Sequence, residues 1–327
     1  MNQAMAHDNE SSAHMLTSNR FRRLAMSAGR RAPDCLIFAV FCVLALGSLT
    51  PARAAYTATT GRLVETGSGS APIDDAWIRE HILAEAARLD TEHRAVGMDT
   101  LASQLGRSSC AGIVLSRPSG DAVAPEDFYD RLKKSVLVLG SPYWCTTCNQ
   151  YQLATSAAIA LTASGVCVTN YHVISHPIGK ALFAMTVDGR VMNVKEVLAA
   201  SQADDIAIVQ LDGGGLTPAP LRPDAPVGSH IRVISHPDDG FYSLTDGVVS
   251  RYLIRSRSGL RSTMMSITAD YARGSSGSPV LDDSGAVVGM VADTRSIYYT
   301  IDHGAQQNLQ MVVKECVPSA SILKLFR

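Results

Sequence analysis

From Ser135 onward the chain is written in short β-rich runs separated by turn residues, and this pattern narrows the available folds more than anything else in it. Ser135 to Leu139 is the first run. Leu153 to Leu161 and Val166 to Thr169 flank a Ser164-Gly165 turn. Leu182 to Val187 and Val191 to Val197 flank Asp188-Gly189, a pair suited to the left-handed backbone of a tight hairpin. Ile206 to Leu211 follows. Gly213-Gly214-Gly215 and a proline-containing stretch to Pro226 then interrupt the pattern, which marks a boundary between two β-units. The second unit predicts strands at Ile231 to Ser235, Gly247 to Ile254 and Met264 to Thr268. It continues with Pro279 to Leu281, joined through Asp282 to Gly285 to Val287 to Val291, and with Leu309 to Val313. Many short strands without long helices mean an all-β sandwich or barrel, and periodicity alone does not choose between them. The tail from Pro318 to Phe326 suits a terminal helix.

The region before Ser135 reads differently. Arg20, Arg22, Arg23, Arg30 and Arg31 precede an apolar run from Leu36 to Leu46, and Ala52-Arg53-Ala54 has small-x-small character. Together they predict a signal peptide over residues 1–54, with Met15 and Met26 as alternative starts. The apolar run is shorter than the roughly 20 residues of a membrane span. The expected location is therefore secreted or periplasmic, the alternative being an uncleaved N-terminal anchor. Residues 55–128 form an extension that is a candidate prosegment. It begins with a polar linker from Tyr56 to Pro72. A helix over Asp74 to Leu89 follows, capped by Asp74 or Asp75, with Trp77, Ile78, Ile82, Leu83, Ala86 and Leu89 at helical spacing. Weaker helices are expected over Met98 to Leu105 and Pro125 to Lys133. Loss of the signal would leave Cys110, Cys145, Cys148, Cys167 and Cys316, an odd number, so at least one thiol would lack a partner within the chain.

Net charge is −1 and only 6% of the 327 residues are aromatic. Neither a basic surface nor stacking platforms for nucleic acid are expected. No stable membrane partner is expected once a signal is removed.

Three segments carry chemistry: Thr169-Asn170-Tyr171-His172-Val173, Asp204-Asp205-Ile206-Ala207-Ile208, and Gly274-Ser275-Ser276-Gly277-Ser278-Pro279. In chain order they supply a histidine, a carboxylate and a serine framed by glycines. Acyl transfer needs a hydroxyl, a base to take its proton, a carboxylate to fix the imidazole, and amides facing an oxyanion. Asp205 directly precedes the alternating strand and is the expected acid, with Asp204 the alternative.

SGVCVTNYHV, DDIAIV and GSSGSPV, with the trailing SPVLDDSGAVVGMV, resemble the motif blocks of trypsin-like serine peptidases, especially the bacterial HtrA and glutamyl endopeptidase groups. The resemblance covers about Ser135 to Phe326. It implies two packed six-stranded antiparallel β-barrels, about 134–213 and 222–327 within a domain over 129–327. It implies Ser276 as nucleophile, His172 as general base and Asp205 as orienting acid, with the Gly274 and Ser276 amides as oxyanion hole. The expected activity is that of an exported serine endopeptidase acting on protein or peptide substrates, with no cofactor and no metal. Ser275 stands where trypsin-type zymogens carry an aspartate, so activation by that salt bridge is not expected. Ser278 replaces a commoner glycine, as in glutamyl endopeptidases. No PDZ module is expected after the peptidase region.

Other features compete. Asp270, six residues before Ser276, is a candidate for selecting Arg or Lys at the base of the S1 site. The alternative register makes it structural and favours small or medium apolar P1 residues. His172 and His176 share metal-ligand spacing, but Val173 stands where the zincin pattern needs Glu. Trp144-Cys145-Thr146-Thr147-Cys148 has the spacing of a thioredoxin redox motif, or closes a small disulfide at a barrel rim. A catalytically silent binding module on the same fold is the remaining alternative.

Overall fold

The computed structural model describes residues 72–257, 259–302 and 305–327. The signal segment, Cys35, Cys42 and the linker up to residue 71 lie outside the described residues.

Two closed antiparallel barrels make up the body of the molecule. The first comprises β1 (Val136–Cys145), β2 (Gln150–Ala160), β3 (Val166–Thr169), β4 (Phe183–Met185), β5 (Val191–Ser201) and β6 (Ile206–Leu211). Its order is β1-β2-β3-β6-β5-β4, and β4 pairs back onto β1. The second comprises β7 (His230–Ser235), β8 (Ser243–Arg257), β9 (Leu260–Ile267), β10 (Pro279–Leu281), β11 (Val287–Asp302) and β12 (Ala305–Pro318). Its order is β10-β11-β12-β9-β8-β7, closed by β10 against β7. The all-β class and the pair of six-stranded barrels implied by the resemblance are both present, with a one-turn helix (Ser319–Leu323) at the C-terminus.

Alternation along β1 explains how the barrels pack. Side chains on a strand point alternately to its two faces. Leu137 and Leu139 fill the first barrel with Ala158, Val194 and Val209. Val136 and Val138 face outward, into a cluster shared with Ile234, Leu281, Met290 and Val317 of the second barrel. β1 is therefore buried on both faces over its first half, which is why it reads as a continuous apolar run.

Strand ends depart from expectation. β1 continues to Cys145, where Cys145 pairs with Gln150 of β2, so Trp144 to Cys148 sits at a hairpin tip. Cys145 and Cys148 form a disulfide there. The helix that a thioredoxin arrangement requires after the motif is absent, because β2 begins at Gln150. Polar residues also hide the length of β11 and β12, which extend as a long hairpin well past Val291.

The extension is part of the packed body. The first helix, α1 (Asp75–Thr91), is capped by the Asp74 carboxylate, which accepts from Trp77 N–H at 2.9 Å. Ile78, Ile82, Ala86 and Leu89 face inward, whereas Trp77 lies off that stripe and stacks on His81. A second helix, α2 (Met98–Ser103), buries Met98 and Leu101 among Leu137, Leu139 and Ile174. A third, α3 (Pro125–Leu132), buries Phe128 and Leu132. Cys110 N–H donates to Leu325 O at 2.8 Å, tying the extension to the C-terminal segment.

Candidate active site

Each of the three side chains is delivered by a different local device. His172 lies on a one-turn helix, α4 (Tyr171–Ser175), which begins as β3 ends. The Thr169 hydroxyl before it is buried and donates to Ala157 O at 2.8 Å, anchoring the turn to β2. Asp205 sits in the turn leading into β6 with φ 57°, a left-handed conformation that aspartate tolerates better than most residues. The Asn170 amide holds the Asp205 carbonyl at 3.1 Å. Ser276 stands in the loop before β10. Gly277 beside it has φ +90°, and a Cβ there would lie 2.0 Å from Ala157 O, so only glycine fits.

These devices converge. His172 Nδ1 lies 2.8 Å from Asp205 Oδ2, and His172 backbone N–H donates to Asp205 Oδ1 at 2.9 Å. Both carboxylate oxygens are thereby directed at one residue, which fixes ring tilt as well as tautomer. With Nδ1 donating to the carboxylate, Nε2 is free to accept, and it lies 3.1 Å from Ser276 Oγ. Asp204 points elsewhere: it accepts from Ser201 Oγ at 3.0 Å and Ser321 Oγ at 3.3 Å. Of the two neighbouring carboxylates, Asp205 is the one at the histidine.

Neither Gly274 N nor Ser276 N donates to an acceptor among the described residues, so both amides are available to an incoming oxyanion. The Ser276 carbonyl accepts from Ala157 N–H at 2.7 Å, pinning the serine loop to the first barrel. Ser275 is buried and its Oγ has no hydrogen-bond partner among the described residues.

A cleft of about 760 Å³ opens over the triad, lined by His172 and Asp205 on one side and by Ala272, Ser276, Val291 and Ala292 on the other. It extends past Gln202 to Leu260 and Met264 of β9. None of the residues 72–128 lines it. Asp270 is also outside it: its side chain is 84% exposed and pairs with Lys314 Nζ at 3.2 Å. Tyr271 occupies the neighbouring position, with its hydroxyl 3.0 Å from Asp293 O and 2.9 Å from Glu315 O. The sequence pattern did not single out Tyr271.

His176 Nδ1 bonds Ser175 Oγ at 2.8 Å, and no group of three or more His, Cys, Asp or Glu side chains suited to a metal occurs among the described residues. Cys167 and Cys316 are free and fully buried, and burial pushes both thiols well up from their ordinary range.

Comparison with known proteins finds similarity over the same region of the chain. Residues 156–290 match the family model of the trypsin-like peptidase domain. A stretch of 134 residues is 33% identical to the chloroplastic Protease Do-like 1 of Arabidopsis thaliana. That stretch covers 38% of this chain and 30% of the relative, so the match spans about a third of the relative's length. The fold is a trypsin-like one, and His172, Asp205 and Ser276 all lie inside the stretch that matches the trypsin-like peptidase domain.

Proposed function

We propose that this chain is an exported serine endopeptidase. Ser276 Oγ attacks the scissile carbonyl, His172 takes its proton and passes it to the leaving amine, and Asp205 holds the imidazole and stabilises its charged form. The developing oxyanion is met by the Gly274 and Ser276 amides. The acyl-enzyme is then hydrolysed by water activated by the same histidine. The observation that carries this reading is the unbroken relay from Asp205 through His172 to Ser276, at 2.8 and 3.1 Å, facing an open cleft. Substrates are proteins or peptides. Small or medium apolar P1 side chains are favoured, because Ala272, Val291 and Ala292 line the cleft beside Ser276 and the Asp270 carboxylate lies outside it.

The test is hydrolysis of a peptide library by the wild-type chain and by Ser276→Ala. Cleavage after small apolar residues, falling on the order of 10⁴-fold or more in the variant, is the expected result. A wild-type chain that binds peptides without cleaving them would replace this reading with that of a silent binding module.

A further inference from the structure

The triad does not by itself explain what aims the Gly274 amide. The peptide between Arg273 and Gly274 is held by its carbonyl, which accepts from Asp238 N–H at 2.7 Å. A trans peptide is planar, with C=O and N–H on opposite edges. Fixing the carbonyl against the loop over residues 236–242 therefore turns the Gly274 N–H to the other side, where it meets no acceptor among the described residues. The contact is close. A Cβ on Gly274, whose φ is +92°, would lie 2.5 Å from His236 O.

That loop needs outside support. Asp238, Asp239 and Tyr242 have φ of 47°, 67° and 56°. Non-glycine residues hold the left-handed conformation when surrounding structure over-determines it. Here the surroundings are α1 and β2. Arg79 of α1 forms an ion pair with Asp239 and donates to Gln152 Oε1 at 3.3 Å. Asp75 at the start of α1 accepts from Phe241 N–H at 3.0 Å. Thr155 of β2 donates to the second Asp239 oxygen at 2.5 Å. β2 also holds the serine loop, through Ala157 N–H and Ser276 O. Both halves of the oxyanion site are thus referred to one strand, and α1 locks the loop between them.

We infer that α1 is a built-in activating clamp: Arg79 and Asp75 act through Asp239 and the 236–242 loop to hold the Arg273–Gly274 peptide with its N–H aimed at the oxyanion. Arg79, Asp75 and Asp239 are positioning residues in this arrangement, and the described part of the extension serves as an activator. The inference rests on the acyl-transfer reading of the site.

The test uses the full chain with Arg79→Met, Arg79→Lys, and Arg88→Met as a control. Arg88 lies on the same helix but, among the described residues, pairs with Glu85 and Glu92. Removing an oxyanion donor outright costs about 10²–10³ in kcat, so mis-aiming one should cost roughly 10- to 100-fold. Arg79→Met should lower kcat by that factor with KM within about threefold. Affinity for a peptide aldehyde, which forms a tetrahedral adduct, should fall in parallel, while binding of the product peptide stays unchanged. Arg79→Lys should recover most of the loss, and Arg88→Met should behave as wild type. In Arg79→Met, amide hydrogen exchange should rise in segments 236–242 and 272–276 and stay slow in β3. Unchanged kcat and aldehyde affinity, a loss confined to KM, or loss of protection throughout β3 would each overturn the clamp. A wild-type chain without hydrolytic activity would refute the proposed function instead. The exchange comparison would still decide the clamp, with unchanged exchange in both segments counting against it.

Discussion

His236 provides a sharp physical prediction because it is titratable, fully buried and structural at once. Its side chain has no solvent exposure. Nδ1 accepts from Tyr242 N–H at 3.1 Å, which requires the proton on Nε2, and Nε2 lies 3.4 Å from Leu137 O. One ring thereby joins the 236–242 loop to β1. Burial is the main cause that lowers its pKa from the ordinary 6.5 to about 4, since a charged imidazole would lose its hydration there. Below 6.5 the unfolded chain takes up a proton at this residue, whereas the folded chain does not until about 4. The unfolded state binds more protons throughout that window, so His236 contributes stability that is fully present above 6.5 and lost as pH falls toward 4. The gap corresponds to about 3 kcal/mol. Urea titrations of the wild type and of His236→Gln between about pH 7 and about pH 4 isolate the contribution, because other groups titrate alike in both. Glutamine can still accept from Tyr242 N–H and donate to Leu137 O but cannot titrate. The stability advantage of the wild type should shrink by about 3 kcal/mol across the window, at constant m. Parallel curves would refute the argument.

Asp205→Asn should keep KM close to wild type and lower kcat on the order of 10⁴-fold, read from steady-state kinetics, because an amide no longer enforces the imidazole tautomer that presents Nε2 to Ser276. Gly274→Ala should reduce kcat by at least about 10²-fold, since its Cβ would press on His236 O and displace the oxyanion amide. Asp270→Ser should leave P1 selectivity in a library digest unchanged, because its carboxylate pairs with Lys314 outside the cleft. Ile82→Ala should cost about 2–5 kcal/mol in urea unfolding, as Ile82 is fully buried between α1 and the first barrel.

How much of this was legible in the sequence depended on whether a feature is local. β3 and β6 match the expected ranges because turn residues bound them and their buried positions are apolar apart from Thr169. A cap at Asp74 or Asp75 and most of the buried stripe of α1 were legible for the same reason, although Trp77 lies off that stripe. β8, β11 and β12 run far past their expected ends because pairing with a neighbour, rather than apolar character, sustains an exposed hairpin. Within the candidate site, the short motifs pointed to His172, to Ser276 and to the Asp204-Asp205 pair, with Asp205 the expected acid. The choice between Asp204 and Asp205 was not settled by pattern: it rests on Asp205 adopting a left-handed φ that turns its carboxylate to His172. The position of Asp270 depends on Lys314, which is distant in sequence. Arg79, Asp239 and Thr155 carry no motif at all. Their association joins α1, a loop and β2, and no single window of the chain contains it.

In the proposed mechanism His172 and Asp205 make the Ser276 hydroxyl a nucleophile. Reaction of the folded wild-type chain with a fluorophosphonate probe, followed by peptide mapping of the adduct, tests this most directly. A single adduct on Ser276, lost in Ser276→Ala and strongly slowed in His172→Ala, is the predicted result. A folded wild-type chain that stays unlabelled, or that carries the adduct on a different residue, would contradict it.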